Sequence, residues 1–303
     1  MSASALGKRV KTALDETRLL ILGAQVLFGF HLNGAFQKEF PNLSTQSRVL
    51  HAISFLMMTV AVALLIAPSL QHRIVEQGRA STRIIAATSL FAAAALFPFA
   101  LSLGTDLYIV IGHHFGATAG AAIGIAFSLA AITGWYGAEW VMRRPRPKEV
   151  PMREDPDTPI DVRVEHMLTE ARVLLPGAQA LLGFQLAVML TDSFGELPNS
   201  SKVIHVAALC CISLAVILLM APASFHRITF NGQNTESFHR LGSALVVAAA
   251  VPLGAGIVGD LYVAVTMALD SPPLGAVLAL GAAATLSALW LIHPLVLRAK
   301  RAH

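Results

Sequence analysis

The residues best suited to chemistry in this 303-residue sequence lie beside or within long apolar stretches. Asp106 and Asp260 directly follow two of these stretches. A pair of carboxylates there would attract cations to an outer vestibule, and the alternative is that each caps a helix. Gln25 and Gln179 lie about two helical turns inside other stretches, where an amide is costly unless it faces a helix or a cavity. The sequence therefore predicts either interhelical hydrogen bonds or a substrate or ion path at these glutamines.

A second set of charged and titratable residues lies at the opposite ends of the apolar stretches. Glu16 is placed to pair with Arg73 and to close that end of a helical bundle. Histidines beside the arginines would make a protonation-sensitive gate. The alternative is structural ion pairs and arginine contacts with lipid headgroups. The inner gate or ion-pair set comprises Glu16, Arg18, His72, Arg73, Glu170, Arg172, His226 and Arg227.

Cofactor chemistry has one candidate, because His51 and His205 would ligate a b-type haem if they met across the two halves of the chain. Otherwise we expect no cofactor. The two cysteines, Cys210 and Cys211, are adjacent, have no metal-ligand spacing and are expected to be buried apolar filler. No nucleophile, phosphate-loop or zinc motif occurs, so we predict no enzyme, no catalytic residue and no resident metal.

The elements that carry these residues are predicted to be membrane helices. Hydrophobic residues make up 55% of the chain and charged residues only 13%, which excludes a nucleic-acid-binding domain and a typical cytosolic enzyme. Eight apolar stretches approach or reach the length that crosses about 30 Å of hydrocarbon. We predict an all-α polytopic membrane protein, with the lipid bilayer as partner and no nucleic acid. The spans are 19–36, 49–67, 84–103, 117–137, 173–190, 203–221, 241–258 and 274–296.

The basic residues predict the orientation of these spans. If the N-terminus is cytoplasmic, 19 of the 22 Lys and Arg residues fall on the inner side. Both termini are then cytoplasmic, and no signal peptide is expected before the first span. All 18 acidic residues are expected outside the middle of the spans, which argues against an antiporter with two carboxylate sites. Among the deepest polar candidates only His31 titrates, and Gln185 occupies its place in the second half.

An internal duplication organises the chain. A shift of 154 residues aligns 14–108 with 168–262, and about 33 of the 95 pairs are identical. The boundaries follow as a first four-helix repeat over 1–145, a cytoplasmic linker over 146–167 and a second four-helix repeat over 168–303. Because four spans per repeat is an even number, both repeats enter the membrane with the same polarity.

Three motifs within the repeat carry a resemblance to a known family. The second half reads R-V-L-L-P-G-A-Q over 172–179, A-P-x-x-x-H-R over 221–227 and Asp-Leu at 260–261. The first half departs at Leu22, which stands where the second half has Pro176. The chain resembles a family of bacterial inner-membrane proteins known as a four-span domain of unknown function. Since some members are labelled cation:proton antiporters, the resemblance implies two tandem units, an inner-membrane location and a transport role, but it assigns no site residues.

The leading functional prediction is a channel or transporter for a small ion or small solute, with its path between the two repeats. The motivation is the Gln25 and Gln179 face together with the outer Asp106 and Asp260 pair. The alternatives are a haem-binding membrane electron carrier and a non-transporting membrane scaffold. The ion, the substrate, the direction and the oligomeric state stay open.

Overall fold

The computed structural model describes residues 3–142, 158–230 and 233–302, and the described ranges contain helices and no β-strand. The first half has four helices, with a 3₁₀ turn at Phe40–Asn42 between the first two: α1 (Ala3–Gly34), α2 (Thr45–Ile74), α3 (Thr82–Phe115) and α4 (Ala117–Met142). The second half continues as α5 (Ile160–Val188), a short α6 (Asp192–Glu196), α7 (Asn199–Ile228), α8 (Glu236–Leu269) and α9 (Pro272–Ser287). A π-helical turn at Ala288–Ile292 joins α9 directly to α10 (His293–Ala302).

Local signals in the sequence account for the helix starts. The side chains of Ser44, Ser81 and Thr235 each accept a hydrogen bond from the backbone N–H three residues further on. Each bond satisfies one donor that the first turn of a helix leaves unpaired, so α2, α3 and α8 begin there.

Seven helices in the described ranges are long and apolar enough to cross a membrane. They correspond to α2, α3, α4, α5, α7, α8 and the continuous helix from α9 into α10. The first of the eight expected spans, in α1, is not among them, because Gln25, His31 and Asn33 lower its hydropathy. The length and apolar character of these helices make the chain a multi-pass integral membrane protein.

The helices extend past the apolar stretches that suggested them. Asp106 lies well inside α3 and Asp260 well inside α8. The prediction that these carboxylates cap helices is therefore wrong. The C-terminal caps of α3 and α8 are Gly116 and Asp270, which have positive φ angles of 90° and 49°.

The two halves share one internal packing order but meet unequally. In each half the first helix packs against the second and third, the second against the third, and the third against the fourth. The halves join along α1 and α5, and α2 also packs against α8 and α9. As a result, 61% of the apolar window of α2 is buried, compared with 28% for α7, the equivalent helix. Cys210 on α7 is exposed and Cys211 is half-buried, so the expectation of buried filler is wrong for Cys210.

A single indole hydrogen bond ties α2 to the end of the second half. Nε1 of the buried Trp290 donates to the carbonyl oxygen of Ala63 at 2.8 Å. Replacing Trp290 by Phe removes that donor and leaves the carbonyl in an apolar seam. We expect a loss of about 1 kcal/mol in the free energy of unfolding, measured by reversible detergent denaturation. Trp135→Phe, at the exposed equivalent position, is the control and is expected to change little. Equal losses in both variants would contradict the role of this bond.

Candidate functional site

A polar cluster lies inside the first half, where three helices face one another. His31 comes from α1, Ser54 from α2, and Ser102 and Asp106 from α3. The His31 Nε2 atom lies 2.9 Å from Ser54 Oγ and 3.1 Å from Asp106 Oδ1. The Ser54 and Ser102 hydroxyls lie 2.8 Å apart. The first half therefore holds a histidine, a carboxylate and two hydroxyls at one place.

Hydrogen-bond donors and acceptors determine where protons sit in this cluster. His31 Nδ1 lies 2.8 Å from the Leu27 carbonyl oxygen, and because a carbonyl only accepts, Nδ1 carries a proton. The Ser54 hydroxyl donates to Asp106 Oδ1 at 2.8 Å. One proton lies between Nε2 and Asp106 Oδ1, carried either by the imidazole or by the carboxyl group. The His31–Asp106 pair thus holds one exchangeable proton.

The pair opens onto a cavity of about 350 Å³. The Asp106 side chain is 28% exposed, while His31 is almost fully buried. The volume is enough for several water molecules or a small hydrated ion. The polar lining is contributed by α1, α2, α3 and the α1–α2 loop, namely by His31, Gln37, Glu39, His51, Asp106, His113 and His114. This cavity lies within the first half, whereas the sequence had predicted a path between the halves.

The second half has a closed version of the same cluster. Gln185 stands in place of His31, and its side-chain nitrogen donates to both carboxylate oxygens of Asp260 at 2.9 Å. Ala208 and Gly256 occupy the positions of the two serines. Asp260 is fully buried within α8, although the sequence had placed it just past the seventh span. The second cluster keeps the carboxylate but lacks the histidine partner and the opening.

His51 and His205 play one structural role in both halves. His51 Nε2 donates to the His31 carbonyl oxygen at 3.1 Å, and His205 Nε2 donates to the Gln185 carbonyl oxygen at 3.1 Å. Each bond links the second helix of a half to the first helix of the same half. The structure thus anchors the two predicted haem ligands separately, each in its own half.

The charged residues at the other end of the bundle form a second cluster, which joins the two halves. Glu170 on α5 lies 2.5 Å from His72 Nδ1 and also pairs with Arg73 Nε, both on α2. All three side chains are fully buried. The predicted pairing of Glu16 with Arg73 is therefore wrong, because Glu16 is exposed and the carboxylate comes from the other half.

Two residues that the sequence did not single out complete this cluster. Arg73 Nη1 donates to Ser243 Oγ at 3.1 Å and lies 3.3 Å from His239 Nε2, both on α8. The repeat alignment carries no signal for His239, because Ile85 is its counterpart. Outside the cluster, Lys11 on α1 pairs with Glu165 on α5, and that hydrogen bond and charge raise the pKa of Lys11 above its ordinary value.

The other predicted gate residues do not join the buried cluster. Arg18 is half-exposed and Arg172 is exposed. His226 Nε2 lies 3.1 Å from Asn234 Oδ1, and its ring stacks on Phe238. The Arg227 side chain lies outside the part of the chain that is described.

Gln25 and Gln179, which are equivalent in the repeat, have different surroundings. Gln25 is fully buried and packs directly against Gly177 of α5. Neither atom of its amide has a hydrogen-bond partner among the described residues, so the predicted interhelical hydrogen bond is wrong for Gln25. Gln179 is exposed. Neither glutamine lines the cavity beside His31.

Comparison with known proteins identifies the family of the chain. A family model described as a family of unknown function (DUF6328) matches residues 3–139 and again residues 153–294. The two matches confirm the resemblance seen in the sequence, in the form of two tandem units. Searches of curated proteins and of solved structures return no match.

Proposed function

Because the chain belongs to the DUF6328 family of unknown function, as a tandem of two units, we propose that it transports a small cation, protons included, across the membrane. The observation that carries the proposal is the His31–Asp106 pair at 3.1 Å on an open cavity. Ionisable residues inside membrane proteins are expensive and typically mark ion or proton pathways. The second unit, with its closed Asp260 cluster, supports the fold around this pathway.

The chemistry at the pair is an exchange. In the resting arrangement Asp106 is an anion and His31 holds two ring protons. A monovalent cation that enters the cavity binds the Asp106 carboxylate, and the Nε2 proton leaves to water. The charge of the site is unchanged, because one positive charge replaces another. This exchange couples the movement of the cation to the movement of a proton in the opposite direction.

The proposed topology has both units entering a bacterial inner membrane in the same direction, with cytoplasmic termini. Two contacts between α1 and α5 support the common direction. Lys11 pairs with Glu165 near one end, and the Phe30 and Phe184 rings lie 5.0 Å apart nearer the other. Both contacts join positions at the same level of the two units, which supports two parallel units. In this orientation the cavity beside His31 faces the outer side.

The test is proton and cation flux in proteoliposomes that contain a pH-sensitive dye. With K⁺ or Na⁺ gradients imposed, the wild-type protein is expected to change the internal pH. Asp106→Asn and His31→Gln are expected to reduce the flux to that of protein-free vesicles, because neither retains the His31–Asp106 pair on which the exchange depends. The matched control is Asp260→Asn, which makes the same change in the closed cluster and is expected to retain flux. Absence of flux in the wild-type protein under every gradient would refute the proposal.

A non-transporting scaffold is the second candidate, and one observation favours it. Gln25 is fully buried and packs against Gly177 of α5, so this part of the polar face predicted as a path is a packed interface. If the protein is a scaffold, the wild-type protein gives no flux. The Asp106→Asn and Asp260→Asn variants then also give the same flux as each other. The same vesicles therefore decide between the two candidates.

A further inference from the structure

The seam between the two halves uses a different face of each first helix. On α1 the contact is made by Gln25 and Gly29, and on α5 it is made by Gly177 and Phe184. A Cβ added to Gly177 would overlap Gln25, and a Cβ added to Gly29 would overlap Phe184. We call the contacting surface of the first half its front face and that of the second half its back face. The seam therefore joins a front face to a back face, head to tail.

The equivalent surfaces on the other sides of the two halves are uncovered. The front face of the second half contains Gln179 and Gly183, and the back face of the first half contains Gly23. Gln179 and Gly23 are both exposed. A Cβ added to Gly23 or Gly183 would meet no atom within 4 Å. An exposed glutamine midway along a membrane helix is costly in lipid, which favours a partner at this surface.

The contact between the second helix of one half and the fourth span of the other follows the same pattern. Within the chain, Trp290 of the back face donates to the Ala63 carbonyl oxygen of the front face. The equivalent positions are Trp135 on α4 and Ile217 on α7. Both side chains are exposed, Ile217 by 63%. The uncovered faces thus carry a tryptophan and a backbone carbonyl at the equivalent positions, with Ile217 in place of Ala63.

The charges at the inner end are complementary in the same way. Within the chain, Glu170 of the back face neutralises His72 and Arg73 of the front face. The equivalent carboxylate, Glu16, is exposed on the first half. His226 holds the position equivalent to His72 on the second half. An acidic group on one uncovered face therefore corresponds to a basic segment on the other.

We propose that a second copy of this chain covers these faces. The front face of the second half of one copy docks onto the back face of the first half of the next, and so repeats the seam between the halves. In this contact Gln179 of one copy lies on Gly23 of the next. A head-to-tail contact closes into a ring when the rotation allows, and the smallest ring has two chains and four units. The assembly does not depend on the proposed transport activity.

Cysteine cross-linking in membranes tests the proposal. Cys210 and Cys211 are first replaced by Ala. Gly23→Cys with Gln179→Cys is then expected to form an interchain disulfide, which adds species of two or more 32.1-kDa chains. Gln25→Cys with Gly177→Cys is the positive control, because these positions are in contact within one chain and give a monomeric product.

The negative control uses two exposed positions away from both faces. The back face of the second half is covered, yet Leu280 is 69% exposed, so Leu280 lies outside that face. Its equivalent in the first half, Ile125, therefore lies outside the back face of the first half. Ile125→Cys with Leu280→Cys is expected to give no interchain product. The particle mass of the unmodified protein in mild detergent is expected to be that of two or more chains.

Three outcomes would overturn the proposal. The first is a monomeric mass together with no cross-link from Gly23→Cys with Gln179→Cys. The second is equal cross-linking of the Ile125 and Leu280 pair, which would indicate random collision. The third is efficient cross-linking of Gln179→Cys alone, which would indicate identical faces meeting across a two-fold axis.

Discussion

Replacing Glu170 by Gln is expected to destabilise the protein by about 3–5 kcal/mol, the usual cost of leaving a buried charge without its partner. Glu170 is the carboxylate that pairs with both His72 and Arg73, and all three side chains are fully buried. Glutamine keeps the size of the side chain and removes its charge. The Arg73 guanidinium then remains buried beside His239 and Ser243, neither of which supplies a negative charge.

The matched control is Glu16→Gln, which makes the same change at the equivalent position of the other half. Because Glu16 is exposed, the expected change is within about 0.5 kcal/mol. Both variants are measured by reversible denaturation of the protein in mixed micelles, with helix content as the signal. Equal stabilities for the two variants would show that the buried cluster does not hold the halves together.

A double variant distinguishes the net contribution of the Glu170–Arg73 pair to stability from the cost of leaving one of its charges unpaired. Replacing both Glu170 and Arg73 by Leu removes the two charges together and leaves apolar side chains in the seam. Substitution of a whole buried pair by apolar residues is often neutral. The double variant is therefore expected to be more stable than Glu170→Gln.

The helices and the duplication could be predicted from the sequence, because hydrophobic length and self-similarity are local signals. The ends of the helices could not. The third apolar stretch ends at Leu103, but α3 continues to Phe115. Hydropathy identifies only the segment that is apolar enough to lie in the hydrocarbon layer. A helix extends further, as far as its backbone hydrogen bonds and caps allow. Asp106 was therefore placed after a helix rather than inside one.

The partners of the charged residues could not be predicted either, since the repeat alignment assumes equal surroundings for equal residues. Glu16 and Glu170 are equivalent in sequence, yet one is exposed and the other is buried against α2. A head-to-tail seam has this effect, because it covers opposite faces of the two halves. The candidate site was partly visible: Asp106 and His31 were both singled out, but their proximity depends on how α1 packs against α3.

Replacing Gly177 by Leu is expected to reduce the stability of the chain by about 1–3 kcal/mol, the typical cost of overpacking. Even the first carbon of the new side chain would overlap Gln25, which fills the seam opposite Gly177. To relieve the overlap, α1 and α5 must move apart along a contact that also includes Phe184 on Gly29.

Gly23→Leu at the equivalent position shows whether that cost arises within one chain or between chains. Both substitutions remove a helical glycine and gain the same helix propensity, about 1 kcal/mol, so their difference reports packing alone. No atom lies within 4 Å of a Cβ added to Gly23, so the isolated chain is expected to unfold at an unchanged or slightly higher detergent concentration. If a second copy places its Gln179 on Gly23, this variant has a monomeric mass although its fold is intact. A stable Gly23→Leu protein that keeps the mass of the wild type would instead mean that Gly23 faces lipid.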